Sequence, residues 1–454
     1  DWYRGIEYPK EQERGYASNE DLYVPGYFEV PIKKDESIVF SASTKPIKTR
    51  TLKGLFQEEI DVRVPRDNFY HCLVTAAHQF HNREADDTRY LLAGYPWFKC
   101  RARDTFISLP GLTLSIGERD YFELVMKTSE KALREFMDGK PNTTKMAEVE
   151  LPDVMLWAVW AIQQYAKECG KECCIKRYRK LLLDMVKFIE KGKHPNLTLE
   201  ANGLLRTDGR DKAVTWMNST VNGRPVIPRT GFIVEFNALW YNALKFCASM
   251  AADHPAVRTD GDTTSDADHL EQLAAKTKQS FVDTFVNEYG YLLDYVDGQM
   301  MDWSVRPNQI FAVALDYSPL SQQQMKSVVD ICTRELLTPK GLRSLSPKSG
   351  GYNPLYVGPQ VQRDYAYHQG TAWPWLGGFY MEACLKLYKR SRLSFIERQM
   401  VGYEDEIDYH AIGTISELFD GNPPFHGRGA MSFAMNVAEI LRTMKLLEKY
   451  SYQK

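Results

Sequence analysis

An all-α main domain, arranged as a toroid of paired helices, is the fold class predicted by three observations on this 454-residue chain. From Arg66 onward, apolar residues recur at three- and four-residue steps, as one face of a helix requires. Such runs number about twelve, an even set suited to six inner helices ringed by six outer ones. The segments between them are long and rich in Gly, Pro and aromatic residues, notably 192–231 and 338–370. Long ordered loops on a rigid scaffold are where binding and chemistry concentrate. Helix counting alone leaves an irregular bundle open as the alternative.

Residues 1–55 differ from the rest. Tyr27, Phe28, Val30 and Ile32, then Ile38, Val39 and Phe40, alternate or cluster as short strands between turn signals. They are too few for an independent sheet, so this segment reads as the tail of an N-terminal β-domain leading into a helical domain over 56–454. The first helix is carried by Phe69, Leu73, Ala76, Ala77 and Phe80. Comparable runs lie near 105–116, 119–138, 153–168, 173–191, 232–250, 265–288, 307–315, 321–336, 371–390, 395–410 and 430–449. No repeat of solenoid type is present.

Composition removes several function classes. A formal net charge of −2 gives no electrostatic footprint for nucleic acid or an anionic membrane. No run of 18 apolar residues suggests a membrane span. The eight cysteines are scattered, without zinc-ribbon spacing, and adjacent Cys173 and Cys174 suit reduced thiols; a cytoplasmic setting is expected. The chain opens on Asp1 rather than Met, so a preceding segment or leader is an open expectation. No cofactor and no metal are expected.

Four stretches carry the chemistry. In GYPWFKCRARDTFISLPGL (94–112), Tyr95, Trp97 and Phe98 precede Arg101, Arg103 and Asp104, and an apolar helix follows. Asp104 sits where an N-cap would, and a capped helix with a surface arginine is the plain reading. The aromatic loop favours a sugar platform instead: rings stack on apolar sugar faces while Arg and Asp grip hydroxyls. In the second stretch, 202–236, Trp216 is followed by Pro225, Pro228 and Arg229, with Glu235 in the first turn of a helix. Glu235 is either a helix-dipole partner or part of a site. The third, RDYAYHQGTAWPW (363–375), holds His368 beside Gln369, Trp373 and Trp375; it could be a base, a hydroxyl ligand or a core histidine. In the fourth, GTISELFDGNPPFHGRG (413–429), Glu417 stands ahead of a Gly-Pro loop, with Asp420 as the competing carboxylate in a turn signal.

Carboxylates from distant loops, mixed with Trp and Tyr and without a Ser or Cys nucleophile motif, phosphate loop or dinucleotide fingerprint, suit glycoside hydrolysis. One carboxylic acid protonates the leaving oxygen, and a second carboxylate activates water or attacks carbon.

These stretches, together with VRPNQIFAVALDYSPL (305–320) and GLRSLSP (341–347), occur in the order seen in the amylo-α-1,6-glucosidase family, which the chain resembles. Residues 1–50, including DWYRGIEYPKEQERGY, resemble the end of the β-domain that precedes the barrel in bacterial members. The resemblance implies an (α/α)6 barrel and inverting hydrolysis of α-1,6-linked glucose stubs on glycogen-like glucans. It implies that Arg103, Asp104 and Asp153 bind the non-reducing glucose, that Trp216, His368, Gln369 and Trp373 line the same pocket, and that Glu417 is the general base. Glu235 is expected among the substrate-binding groups.

One departure matters. Where the family pattern has Trp-Met-Asp, with the Asp as general acid, this chain reads Trp216-Met217-Asn218. An amide cannot donate a proton as a carboxylic acid does. Three explanations stand open: a substitution introduced to trap substrate, a natural variant whose acid is Asp211 or Glu235, or a binding-only homologue. A glucoamylase-like α-glucan hydrolase is the rival within enzymes.

Overall fold

In the computed structural model, which describes residues 1–252, 266–410 and 412–452, six helices are buried along most of their length and touch in a closed circuit. Ala102–Leu112 packs on Val154–Cys169, which packs on Val234–Ala252. The circuit continues through the short Pro307–Ile310 and Phe311–Ala314 turns to Pro374–Tyr388, then to Ala434–Tyr452, which returns to Ala102–Leu112. Their sequences explain the placement. All of Ala102–Leu112 is buried, and Val154–Ile162 and Val234–Leu244 carry no solvent face. A helix apolar on every side belongs between two layers.

Each inner helix is preceded in the chain by an amphipathic one: Phe69–Phe80, Arg119–Met137, Lys171–Glu190, Asp266–Phe285, Gln322–Glu335 and Leu393–Val401. Arg119–Met137 shows the pattern, burying Phe122, Val125, Met126, Ser129, Ala132 and Leu133 and turning its charges outward. The expected helical runs are therefore realised among the described residues, with shifted ends. Residue 265, the first of one expected run, lies outside the described residues. The 395–410 run divides into Leu393–Val401 and a 3-10 turn, Glu404–Asp408.

The circuit closes where the first and sixth inner helices meet, and Gly111 permits it. A methyl group there would stand 2.1 Å from the carbonyl oxygen of Ala438. Because that neighbour is backbone, Gly111→Ala is expected to lower the unfolding free energy by about 3 kcal/mol. Urea melts should show an earlier midpoint at unchanged slope; an unmoved midpoint would mean that the two helices separate freely.

The N-terminal segment departs from expectation. Its strands are Trp2–Glu7 and Asn19–Tyr23, paired antiparallel, while the residues around Tyr27–Ile32 and Ile38–Phe40 form none. Tyr27 and Phe28 are 85% and 87% exposed. Apolar alternation makes a strand only where a neighbouring strand and a buried face exist, and neither is present here. Leu52–Val62, across the expected boundary at 55, is a helix that buries none of its residues.

Short strands tie the loops of one rim together. Gly341–Arg343, Ala372–Trp373 and Leu418–Phe419 lie side by side, Leu342 opposite Trp373 and Ala372 opposite Phe419. Ser432–Phe433 pairs with Gly94–Tyr95 at the entrance to the first inner helix. Three of the four informative stretches are thus stitched into one neighbourhood by backbone hydrogen bonds. Among the described residues, no helix is long and apolar enough to cross a membrane, and all eight cysteines are free thiols.

Candidate active site

Seven residues expected at a sugar site line one pocket: Arg103, Asp104, Trp216, Asn218, His368, Trp373 and Glu417. Asp104 is not the N-cap. The helix starts at Ala102, capped by the extended Arg101, which puts Asp104 in the first turn with its side chain buried. Burial pushes its pKa up to about 6 against the opposing pull of Arg101 and Arg103.

Glu417 stands immediately before the Leu418–Phe419 strand. Its backbone N–H donates to Ala430 O at 2.9 Å, and the Ala430 N–H donates to Glu417 Oε2 at 2.7 Å. The Asn436 amide donates to the carbonyls of Ser416 and Glu417 at 2.6 and 2.8 Å, fixing that strand on the sixth inner helix. The second carboxyl oxygen, Oε1, is buried with no protein partner. Burial raises the carboxyl's pKa to about 8; Asp104 adds to the rise, and the Ala430 N–H and Arg101 oppose it.

The aromatic wall is braced from behind. Trp216 Nε1 donates to Asn308 Oδ1 at 2.7 Å, and Asn308 Nδ2 donates to Asp294 Oδ1 at 2.7 Å. Asp294 in turn takes Arg229 Nε at 2.7 Å. The His368 ring stacks on Trp373 at 5.4 Å between centroids and meets the Trp216 ring edge-on at 5.1 Å. Both imidazole nitrogens are buried without partners. Burial first, then Arg306, Arg229 and Arg103, hold this histidine's pKa well below its ordinary value, so the ring is neutral. A neutral imidazole with two open nitrogens can give one hydrogen bond to a hydroxyl and accept another.

Three residues expected at the sugar do not line this pocket, and each is held by an arginine. Asp153 takes both Nε and Nη2 of Arg103, at 2.7 and 2.9 Å, so it aims the arginine. Both Glu235 oxygens are held by Arg229, because a buried carboxylate needs its charge compensated locally. Gln369 accepts from Arg306 Nη2 at 2.9 Å. Of the alternative carboxylates, Asp211 is exposed outside the pocket, and Asp420 is occupied by Arg428 Nε and Nη2 and the Tyr356 N–H. Neither Asp211 nor Glu235 is therefore placed as a substitute acid.

Three further lining residues, Tyr367, Phe433 and Met435, escaped the sequence reading; Phe98 and Arg101, read as part of the aromatic platform without an assigned role, line the pocket too. Arg101 is the most consequential, its guanidinium 4.7 Å from the Phe98 ring centroid and its charge acting on both pocket carboxyls. Its signal was present, two positions before Arg103. Phe433 and Met435, on a strand and helix start more than 300 residues away, left none. The pocket is narrow, with about 30 Å³ open to a water-sized body, so a glucose ring would have to part the aromatic walls. Among the described residues, no cluster of three His, Cys, Asp or Glu side chains is set to hold a metal ion.

Buried carboxyls, guanidinium groups and indole rings at one rim of a helical ring define a carbohydrate-processing class, and the comparisons agree. A mannosylglycerate hydrolase of glycoside hydrolase family 63 from Thermus thermophilus, solved with Tris, superposes with a TM-score of 0.56 at 12% identity over 82% of this chain and 99% of that one. An uncharacterized conserved protein from the same organism gives 0.54 at 13% identity, over 81% and 98%. Identities this low speak for the fold alone. Residues 74–442 match the amylo-alpha-1,6-glucosidase family model, and residues 1–39 match that of the glycogen debranching enzyme N terminal region. The chain belongs to the amylo-alpha-1,6-glucosidase family, a family of glycoside hydrolases. The glycogen debranching enzyme of Saccharomyces cerevisiae is 23% identical over 389 residues, covering 64% of this chain and 25% of the yeast protein. The chain thus spans about a quarter of that relative's length.

Proposed function

We propose that the ring of six inner and six outer helices is an (α/α)6 barrel, spanning residues 56–454, and that its rim pocket hydrolyses α-1,6-linked glucose stubs on glycogen-like glucans with inversion. The observation that carries this reading is the pairing of Glu417 and Asp104 inside one aromatic-walled pocket, with Glu417 Oε1 buried and unpartnered. In this reading Arg103, Asp104 and neutral His368 hold the hydroxyls of the terminal glucose, and Trp216 and Trp373 face its apolar surface. Water bound at Glu417 Oε1 attacks the anomeric carbon as the ionised carboxylate takes its proton; with the pKa raised to about 8, this form grows in as pH rises. The bond from that carbon to the 6-oxygen breaks, and the departing oxygen needs a proton from the opposite side.

Position 218 is the family's place for that donor, and an asparagine cannot supply it. A second reading is therefore specific: the chain as written holds a glucan without cutting it. Asp211 and Glu235, the remaining candidates, are exposed and arginine-bound respectively. The free thiols support a cytoplasmic setting.

Three substrates separate the readings: a branched limit dextrin, an α-1,6-linked oligosaccharide and a linear maltooligosaccharide. Release of β-glucose from the first two alone is expected once position 218 carries an acid. Cutting of the linear chain would move the assignment to a glucoamylase-like enzyme. Binding of all three without release, even then, would leave only the binding role.

A further inference from the structure

Next to the sugar pocket lies a larger cleft of about 900 Å³. One side is formed by residues 356–358 and Arg363, the other by Tyr409, His410 and residues 424–429, and the N-terminal segment contributes Lys10, Glu13 and Arg14. This segment is seated firmly. Arg363, buried, donates to Gly358 O, Tyr16 Oη and Gln360 Oε1 at 2.6, 2.6 and 2.7 Å. Its guanidinium lies 5.3 Å from the Tyr16 ring centroid and 5.9 Å from that of Tyr356. The arginine therefore joins the N-terminal segment to the cleft wall through two rings.

The cleft and the pocket share one aromatic path. Tyr356 meets Tyr367 at 5.4 Å between centroids, and Tyr367 meets His368 at 4.5 Å and Trp373 at 5.2 Å. Tyr356 faces the cleft; Tyr367, His368 and Trp373 face the pocket. Across the cleft, Phe425 stands in the left-handed region, φ 59°, a costly conformation for a bulky residue. Its ring belongs neither to the hydrophobic core nor to the apolar groups packed on it. Core packing thus gives no return for this strain; its effect is to set a ring on the cleft wall. Charges converge as well: after burial, Arg14, Arg428 and Lys10 are what lower the pKa of His410, a cleft residue.

We propose that this cleft binds the main chain of a branched α-glucan, on the leaving-group side of the scissile bond, and that residues 10–16 form one of its walls. The ligand chemistry follows from the lining: rings for the apolar faces of successive glucoses, and Arg, Lys and Glu side chains for their hydroxyls. This inference rests on the reading of the adjoining pocket as the site of the terminal glucose. It assigns the N-terminal segment to binding the main chain, a part of the substrate that the terminal-glucose pocket does not reach.

Calorimetric titration of the full chain tests it without requiring turnover, using D-glucose as the pocket probe and a branched limit dextrin as the chain probe. Phe425→Gly removes the ring and suits the positive φ, so the variant should melt no earlier than the parent. Arg14→Ala removes a cation of the N-terminal wall. Each variant is expected to bind the dextrin roughly five- to tenfold more weakly, the loss of one charged or stacking contact, with glucose affinity unchanged. Dextrin affinity unchanged in both variants overturns the proposal. So does equal weakening of both ligands, which would place the effect in the fold. If the parent binds dextrin but not glucose, the pocket reading fails while the cleft still shows its own affinity; if it binds neither, both fail.

Discussion

Asn218→Asp is expected to raise the rate on α-1,6-linked substrates by roughly 10²–10⁴-fold, the usual contribution of a positioned general acid. The two side chains are nearly isosteric, so the change alters the proton inventory and little else. Asn218 lines the pocket with Glu417 and Asp104 and is half-buried. A new carboxyl there meets two acidic neighbours and partial burial, and both raise its pKa. The restored activity should therefore require Glu417 ionised, its pKa raised to about 8, and this acid protonated, so that it rises as the base ionises and declines on the alkaline side as the acid does. In an inverting enzyme the new carboxyl should stand roughly 6.5–9.5 Å from that of Glu417, leaving room for water. Steady-state rates across a pH series check the proposal. If the parent already turns over fast, and the variant has the same rate and profile, position 218 is not the acid.

Glu417→Gln should act in the opposite sense on turnover, lowering that of an acid-restored parent by at least about 10²-fold while leaving glucan binding largely intact. It also makes a prediction about stability. The Glu417 carboxyl is raised from 4.5 to about 8, mainly by burial. Between those values the folded chain holds a proton that the unfolded chain has released, so stability falls as pH rises through this window. The stabilising share is fully present below about 4.5 and gone above about 8. Removing the ionisation should stabilise the Gln variant at pH 8 by on the order of a few kcal/mol and flatten its melting temperature against pH. Asp104, raised to about 6, keeps a smaller slope in both proteins. A variant that loses activity without gaining alkaline stability would show that the carboxyl is more hydrated than its surroundings indicate. Full activity without Glu417 would place the base elsewhere.

Much of this arrangement was legible along the chain. Period-3.6 apolar runs identified the helices because helix burial is a local code: Arg119–Met137 writes its inner face as Phe122, Val125, Met126 and Ser129. The pocket's core was legible too, since Arg103, Asp104, Trp216, His368 and Glu417 each stand in an aromatic loop or at a loop–helix junction. The N-terminal strands were misplaced, because the apolar alternation near Tyr27–Ile32 carries no information about whether a partner strand exists. Asp153, Glu235 and Gln369 were put at the sugar for a related reason. A buried polar residue beside a site has the same local sequence whether it faces the ligand or an arginine behind it.

The order of residues was enough to set the class of structure and the kinds of groups brought to one rim, together with the amide at 218 that removes the expected proton donor. Which carboxyls are free is a property of the assembled fold. Asp153, Glu235 and Asp420 are neutralised by Arg103, Arg229 and Arg428, whereas Glu417 Oε1 has no protein partner. A carboxyl's protonation and availability are set by desolvation and by charges a few ångströms away. Those neighbours come from segments as distant as 101–104 and 417, which the strand pairings and the closing contact at Gly111 bring together.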